Sequence, residues 1–149
     1  MLQLATLADW EAVKRLSVQI HDLHVAWRPD MFYHCDEPLP HDFFCELIND
    51  KMIYVAKFDG IVTGYVTLSI FHRGGDGTLP KKVMRIDSIC VDEAIRGHGI
   101  GTQIVQDVRA ISRAFGCDSL ILGVHPENDR AVNFYQKCGF RIRTINMEM

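Results

Sequence analysis

Between Met52 and Phe71 the chain reads as two extended runs, Met52 to Phe58 and Ile61 to Phe71, broken only by Asp59-Gly60. An Asp-Gly pair between runs rich in β-branched and aromatic residues is a hairpin signal, because glycine supplies the positive φ that a tight turn needs. The middle of the chain is therefore committed to antiparallel sheet. A looser turn, Arg73-Gly74-Gly75-Asp76-Gly77-Thr78-Leu79-Pro80, leads into a third strand from Val83 to Val91. Along it the apolar positions change phase, from Met84 and Ile86 to Ile89 and Val91, so either both faces are buried or a bulge lies near Asp87-Ser88.

Helical periods flank this sheet. Leu2 to Ala5 suits a short first strand, and Thr6 or Asp9 is placed to cap a helix carrying Trp10, Val13, Leu16, Ile20 and Leu23, which stops before Pro29. The stretch Trp27 to His34 has no clean period and reads as a loop, followed by a short helix from Pro40 to Ile48. Later, Ile104, Val105, Val108, Ile111 and Phe115 form an amphipathic stripe closed by Gly116. Leu120 to Val124 suits a buried strand, Asn128 to Lys137 a helix, and Gly139 to Arg143 with Ile145 to Met149 closing strands. The expected order is β-α-α-β-β-β-α-β-α-β in one domain over residues 1–149, an α/β fold with a mixed sheet of six or seven strands and four helices.

With 149 residues, 48% of them apolar, the chain can bury a substantial core. Its net charge of -3 gives no reason to expect nucleic acid or an anionic membrane as partner. No apolar run approaches the roughly 20 residues of a membrane span, and the N-terminus lacks the pattern of a secretion signal, so a cytoplasmic protein is expected. The five cysteines, Cys35, Cys45, Cys90, Cys117 and Cys138, are scattered without a Cys-x-x-Cys pair and read as reduced thiols. His21 and His24 lie three apart on the first helix, but no third ligand is placed beside them, and no metal is expected.

Chemistry concentrates at Arg96-Gly97-His98-Gly99-Ile100-Gly101, between a strand and a helix. Three glycines at alternate positions bare the backbone where amide N–H groups converge at a helix N-terminus, a site suited to phosphate, and Arg96 adds a guanidinium. A P-loop would need Gly-Lys-Ser/Thr, but Gly101 is followed directly by Thr102. A dinucleotide fingerprint would need glycine at position 102. Both rivals fail.

The spacing Arg96-x-x-Gly99-x-Gly101, after Ile89-Cys90-Val91 and before an amphipathic helix, resembles the coenzyme A signature of the GNAT acetyltransferase superfamily. Independently, Asn128-Asp129-Arg130-Ala131-Val132-Asn133-Phe134-Tyr135-Gln136-Lys137-Cys138-Gly139-Phe140 is similar to that family's later helix-to-strand element. The resemblance implies acetyl-coenzyme A as donor. It places the pyrophosphate on the backbone of Arg96, Gly97, His98, Gly99, Ile100, Gly101 and Thr102, and the pantetheine arm on that of Cys90 and Val91, with Asn128, Ala131 and Tyr135 also touching the cofactor. It further implies Tyr135 as general acid for the departing thiolate and Asp87 as the base that deprotonates the acceptor amine. Asp30, Phe32, Tyr33 and His72, on the loops that would flank the acceptor, are expected to contact it. The expected activity is acetyl transfer to a primary amine by direct attack in a ternary complex. The acceptor, a small molecule or a protein amine, stays open, as does a monomer or a homodimer. The alternatives are a non-catalytic acyl-coenzyme A-binding module and an interaction domain that has lost the cofactor.

Overall fold

Asp59 and Gly60 both adopt positive φ, 50° and 78°, in a computed structural model that describes all of residues 1–149. This two-residue turn has the twist that hairpin strands require. It joins β2 (Ile53–Phe58) to β3 (Ile61–Gly75), which pairs antiparallel with β4 (Thr78–Val91). With β1 (Leu2–Leu4) and β5 (Ser119–Leu122) they make one five-stranded sheet in the order β1-β2-β3-β4-β5. Every pair is antiparallel except β4 with β5, which is parallel.

Alternation along the strands divides the core. Val55, Tyr65 and Cys90 face a cluster with Val13 and Leu16 of α1 (Trp10–Trp27) and Phe44 and Leu47 of α2 (His41–Asn49). Ala56, Val66, Met84 and Ile86 face the other way, toward Ile104 and Val108 of α3 (Ile100–Ala114). Near α3 lies α4 (Asp129–Lys137), whose Phe134 ring packs over Gly101. A Cβ on Gly101 would stand 3.2 Å from Phe134 Cζ. The third glycine of the loop thus lets the two helices pack closely, while Gly97 and Gly99, at φ 90° and 80°, meet a demand of the backbone itself.

Of the two readings of the phase change along β4, the structure shows the bulge. Thr67 pairs with Ser88 and Leu68 with Ile86, leaving Asp87 as the extra residue of β4. The hairpin arm is longer than its glycines suggested: β3 and β4 run on to Gly75 and Thr78, with a register shift between Arg73 and Gly75, and only Asp76-Gly77 lies outside the two strands. The closing strands expected over 139–143 and 145–149 do not form, so the sheet has five strands instead of six or seven. Strand propensity at Ile142 and Ile145 finds no partner edge, and both side chains are exposed. No helix is long and apolar enough to cross a membrane.

Thr6 and Asp9 cap the short turn that leads into α1: the amide and hydroxyl of Thr6 donate to Asp9 Oδ2 at 2.9 and 3.0 Å. Asp9 is buried and also accepts from Lys57 Nζ at 2.7 Å, which ties this turn to β2. Burial by itself would raise the carboxyl pKa, but Lys57 and Thr6 outweigh it and hold the group below its ordinary value of 3.8. A carboxylate lowered on folding stabilises the native state above the unfolded pKa and loses that contribution as pH falls through the folded one. Asp9→Asn is therefore expected to cost about 1–3 kcal/mol at neutral pH, as for charged hydrogen bonds. In urea unfolding, the gap to the parent protein should shrink as pH falls below the ordinary carboxylate value of 3.8.

Candidate active site

β5 pairs with β4 over four residues only, from Val83 opposite Ser119 to Ile86 opposite Leu122. Beyond that point the strands part, and β4 continues from Asp87 to Val91 with β3 on one side and an open edge on the other. The Asp92 amide donates to Thr63 O at 2.9 Å, which fixes the phase of the antiparallel ladder. Peptide groups alternate along it, so those of Cys90 face β3, and those of Ile89 and Val91 face the open edge. The open edge thus presents the peptide groups of Ile89 and Val91, while those of Cys90, expected there, face β3. The Val91 carbonyl is already taken by Arg96 Nε at 2.9 Å, whereas the Val91 amide is free.

Cys90 is buried among the residues beneath α1, and burial pushes its thiol up to about 11. Such a thiol is a poor nucleophile at neutral pH.

Beside the open edge lies the glycine loop. No backbone amide from Arg96 to Thr102 has a hydrogen-bond partner within the protein. The space over Gly97 and Gly99 is empty to at least 4 Å from where a Cβ would stand. His98 donates from Nδ1 to Ile95 O at 3.0 Å, bracing the loop and leaving its ring outside the cradle. Arg96 spends one donor on Val91 and retains its terminal guanidinium nitrogens. Unpaired amides, a helix N-terminus and a guanidinium around one open space fit a pyrophosphate.

Asn128 accepts from the Ala131 amide at 3.1 Å, so its carbonyl oxygen caps α4 and only its NH₂ remains for a ligand. Tyr135, half-buried on α4, packs against Phe134 and Phe140 at ring distances of 5.2 and 5.8 Å. Burial, with Cys138 nearby, pushes its phenol up to about 12. Asp87 is exposed in the bulge and ion-paired to Arg85. That ion pair occupies the carboxylate expected to act as base.

Of the expected acceptor residues, Asp30 is held by both Arg28 Nε and Nη2 at 2.9 and 2.8 Å, and Tyr33 is fully exposed apart from its carbonyl, which accepts from His21. Phe32 packs on His21 and His24. His72 pairs with Lys82 on the hairpin arm, six residues along β4 from Ser88. At ~3.3 Å per residue it stands roughly 20 Å from the open edge and does not join the site. A group that the sequence does not bring together is Trp27 and His125, whose rings stack at 6.2 Å across the parted strands.

The acetyltransferase (GNAT) family profile matches residues 17–140, and the chain belongs to that family. It is 33% identical over 100 residues to the glucosamine 6-phosphate N-acetyltransferase of Trypanosoma brucei brucei, covering 65% of this chain and 63% of that one. It is 32% identical over 111 residues to an N-alpha-acetyltransferase of Sulfurisphaera tokodaii, covering 70% and 66%. The match thus spans just under two thirds of the length of each of these relatives. A crystal structure of a mutant BH1408 protein from Bacillus halodurans superposes with a TM-score of 0.94 at 29% identity, covering 100% of this chain and 98% of that one.

Gly99 tests the cradle directly. An L-residue at its φ of 80° carries about 1–2 kcal/mol of strain, which the loop relieves by turning its amides away. Gly99→Ala is expected to weaken coenzyme A about tenfold in a calorimetric titration, the equivalent of about 1.4 kcal/mol, while the protein stays folded.

Proposed function

We propose that this protein transfers the acetyl group of acetyl-coenzyme A to a primary amine by direct attack, as a single acetyltransferase domain over residues 1–149. The observation that carries the reading is the open edge of β4 beside the unpaired amides of Arg96 to Thr102. The loop would hold the pyrophosphate, and the peptide groups of Ile89 and Val91 would pair with the pantetheine arm as a further strand. The free Val91 amide would then lie where amine attack puts negative charge on the thioester oxygen, and a prealigned N–H lowers that barrier.

Tyr135 supplies the proton for the departing sulfur. With its phenol near 12 it is protonated at every working pH. Transfer to a thiolate of reference pKa about 8.5 runs uphill on its own. It is completed because the newly acylated nitrogen is strongly acidic and gives up the proton that replaces it. The inward-facing, weakly acidic Cys90 supports direct attack over an acyl-enzyme.

The relatives named above are a glucosamine 6-phosphate N-acetyltransferase and an N-alpha-acetyltransferase, enzymes for two chemically distant acceptors, so the acceptor is to be found by experiment. Thiol release should be measured across glucosamine 6-phosphate, polyamines, amino acids, aminoglycosides and peptides with a free N-terminus. Release with at least one of them is expected, and Tyr135→Phe should lower kcat about a hundredfold while coenzyme A affinity stays within about twofold. Tight coenzyme A binding without release from any acceptor would identify a non-catalytic binding module instead. Full turnover by Tyr135→Phe would remove Tyr135 from the acid role.

A further inference from the structure

α1 crosses the opening between the strands on the side of the sheet away from the glycine loop. Near its middle, Arg15 and Gln19 reach Asp92, just past the end of β4, at 2.7 and 3.3 Å. Eight residues on, about 12 Å along the helix, Trp27 stacks on His125, three residues past the end of β5. The second half of α1 therefore roofs the gap on one face, while α3 and its loop border it on the other.

Under that roof His24 is enclosed by Trp27 and Phe32, each at a ring distance of 5.6 Å. The neighbouring imidazoles are both committed: His21 donates from Nε2 to Tyr33 O at 2.8 Å, and His125 Nδ1 pairs with Glu127. His24 alone of the three has neither a side-chain hydrogen bond nor an ion pair, and neither of its ring nitrogens is sealed from solvent. We propose that His24 is the base that takes the proton from the acceptor's ammonium group, so that the acceptor enters on the α1 face and the donor on the α3 face. This rests on the acetyl-transfer reading above.

The proton count closes. An ammonium must lose two protons to become an amide nitrogen as the C–N bond forms and the C–S bond breaks. The first passes to His24 and on to water. The second replaces the one that Tyr135 gives to sulfur. Asp87, expected in this role, is held by Arg85, whereas a neutral imidazole is free to accept.

The titratable and charged groups around His24 agree with a neutral ring. On α1 stands His21, and from the segment after β5 come His125 and its partner Glu127. From the loop come Arg28 and Asp30, joined to each other and, through Arg28, to Glu148 of the C-terminal stretch. Asp30 and Glu148 are held by Arg28, and burial, with His21 and His125 nearby, holds His24 below its ordinary value of 6.5. Below that value the base is protonated and idle, so kcat/KM should rise with pH on a limb whose midpoint lies under 6.5.

The test uses the whole chain with glucosamine 6-phosphate and a peptide bearing a free N-terminus as acceptors. His24→Gln is expected to lower kcat about a hundredfold, to erase the acidic limb, and to leave coenzyme A affinity within about twofold. Added imidazole should restore part of the activity of His24→Ala. NMR titration of the unmodified protein should find the His24 ring deprotonating below 6.5, a result that needs neither turnover nor a folded variant. A ring that titrates at or above 6.5, or a His24→Gln variant that keeps kcat within about threefold, overturns the assignment. Absence of thiol release by the unmodified protein with every amine overturns the acetyl-transfer reading itself, and this base with it.

Discussion

The parting of β4 from β5 after Ile86 and Leu122 is the constraint on which the rest of the site depends. A buried strand edge that loses its neighbour leaves N–H and C=O groups unpaired, and such edges are ordinarily covered or kept short. Here β5 ends after four residues, and Asp87 is inserted as a bulge at the same level of β4. The bulge shifts the alternation of side chains. Below it Ile86 faces α3; above it Ser88 turns toward α1, where its hydroxyl meets that of Tyr65 at 2.9 Å. With Tyr65 and Cys90 packed inward, the peptide groups of Ile89 and Val91 are offered to the gap.

An open seam through a sheet needs bracing from both faces. Asp92 supplies one brace, accepting from Arg15 and Gln19 of α1 and from the Ala94 amide in the turn below, so that the end of β4, the helix above it and the approach to the glycine loop are one unit. Arg96 supplies another by donating to the Val91 carbonyl. On the far side, Phe134 over Gly101 and Arg109 on the Cys138 carbonyl, at 2.8 Å, fasten α4 to α3. The amides of the cradle are therefore aimed by contacts that lie outside the glycine loop.

Much of this was legible in the residues. The Asp59-Gly60 hairpin, the stripe of α3 and the helix that follows Asn128 depend on neighbours within a few positions, and local patterns carry them. The phase change from Ile86 to Ile89 pointed to a bulge as one of two readings, the other being burial of both faces. What was not legible depends on contacts distant in sequence. Whether Cys90 or Ile89 presents its peptide group to the gap is decided by the register with β3, which differs by one residue for either answer. Asp87 looked available as a base because its ion pair with Arg85 forms around a bulge that breaks strict alternation. Ile142 and Ile145 have the composition of a strand, but a strand exists only through a paired edge, and none is beside them.

His24 shows the same limit from the other side. Its neighbours at helical spacing, His21 and Trp27, say only that one face of α1 is aromatic. His125, 101 positions later, converts that face into an enclosure, and the ring becomes distinctive because the other two imidazoles are occupied. The two halves of acetyl transfer ask for opposite surroundings. The donor's pyrophosphate needs unpaired amides open to solvent, and the amine needs a neutral base away from competing charge. A sheet that opens along one seam separates the two, with amides and a helix N-terminus on the α3 side and aromatic rings on the α1 side.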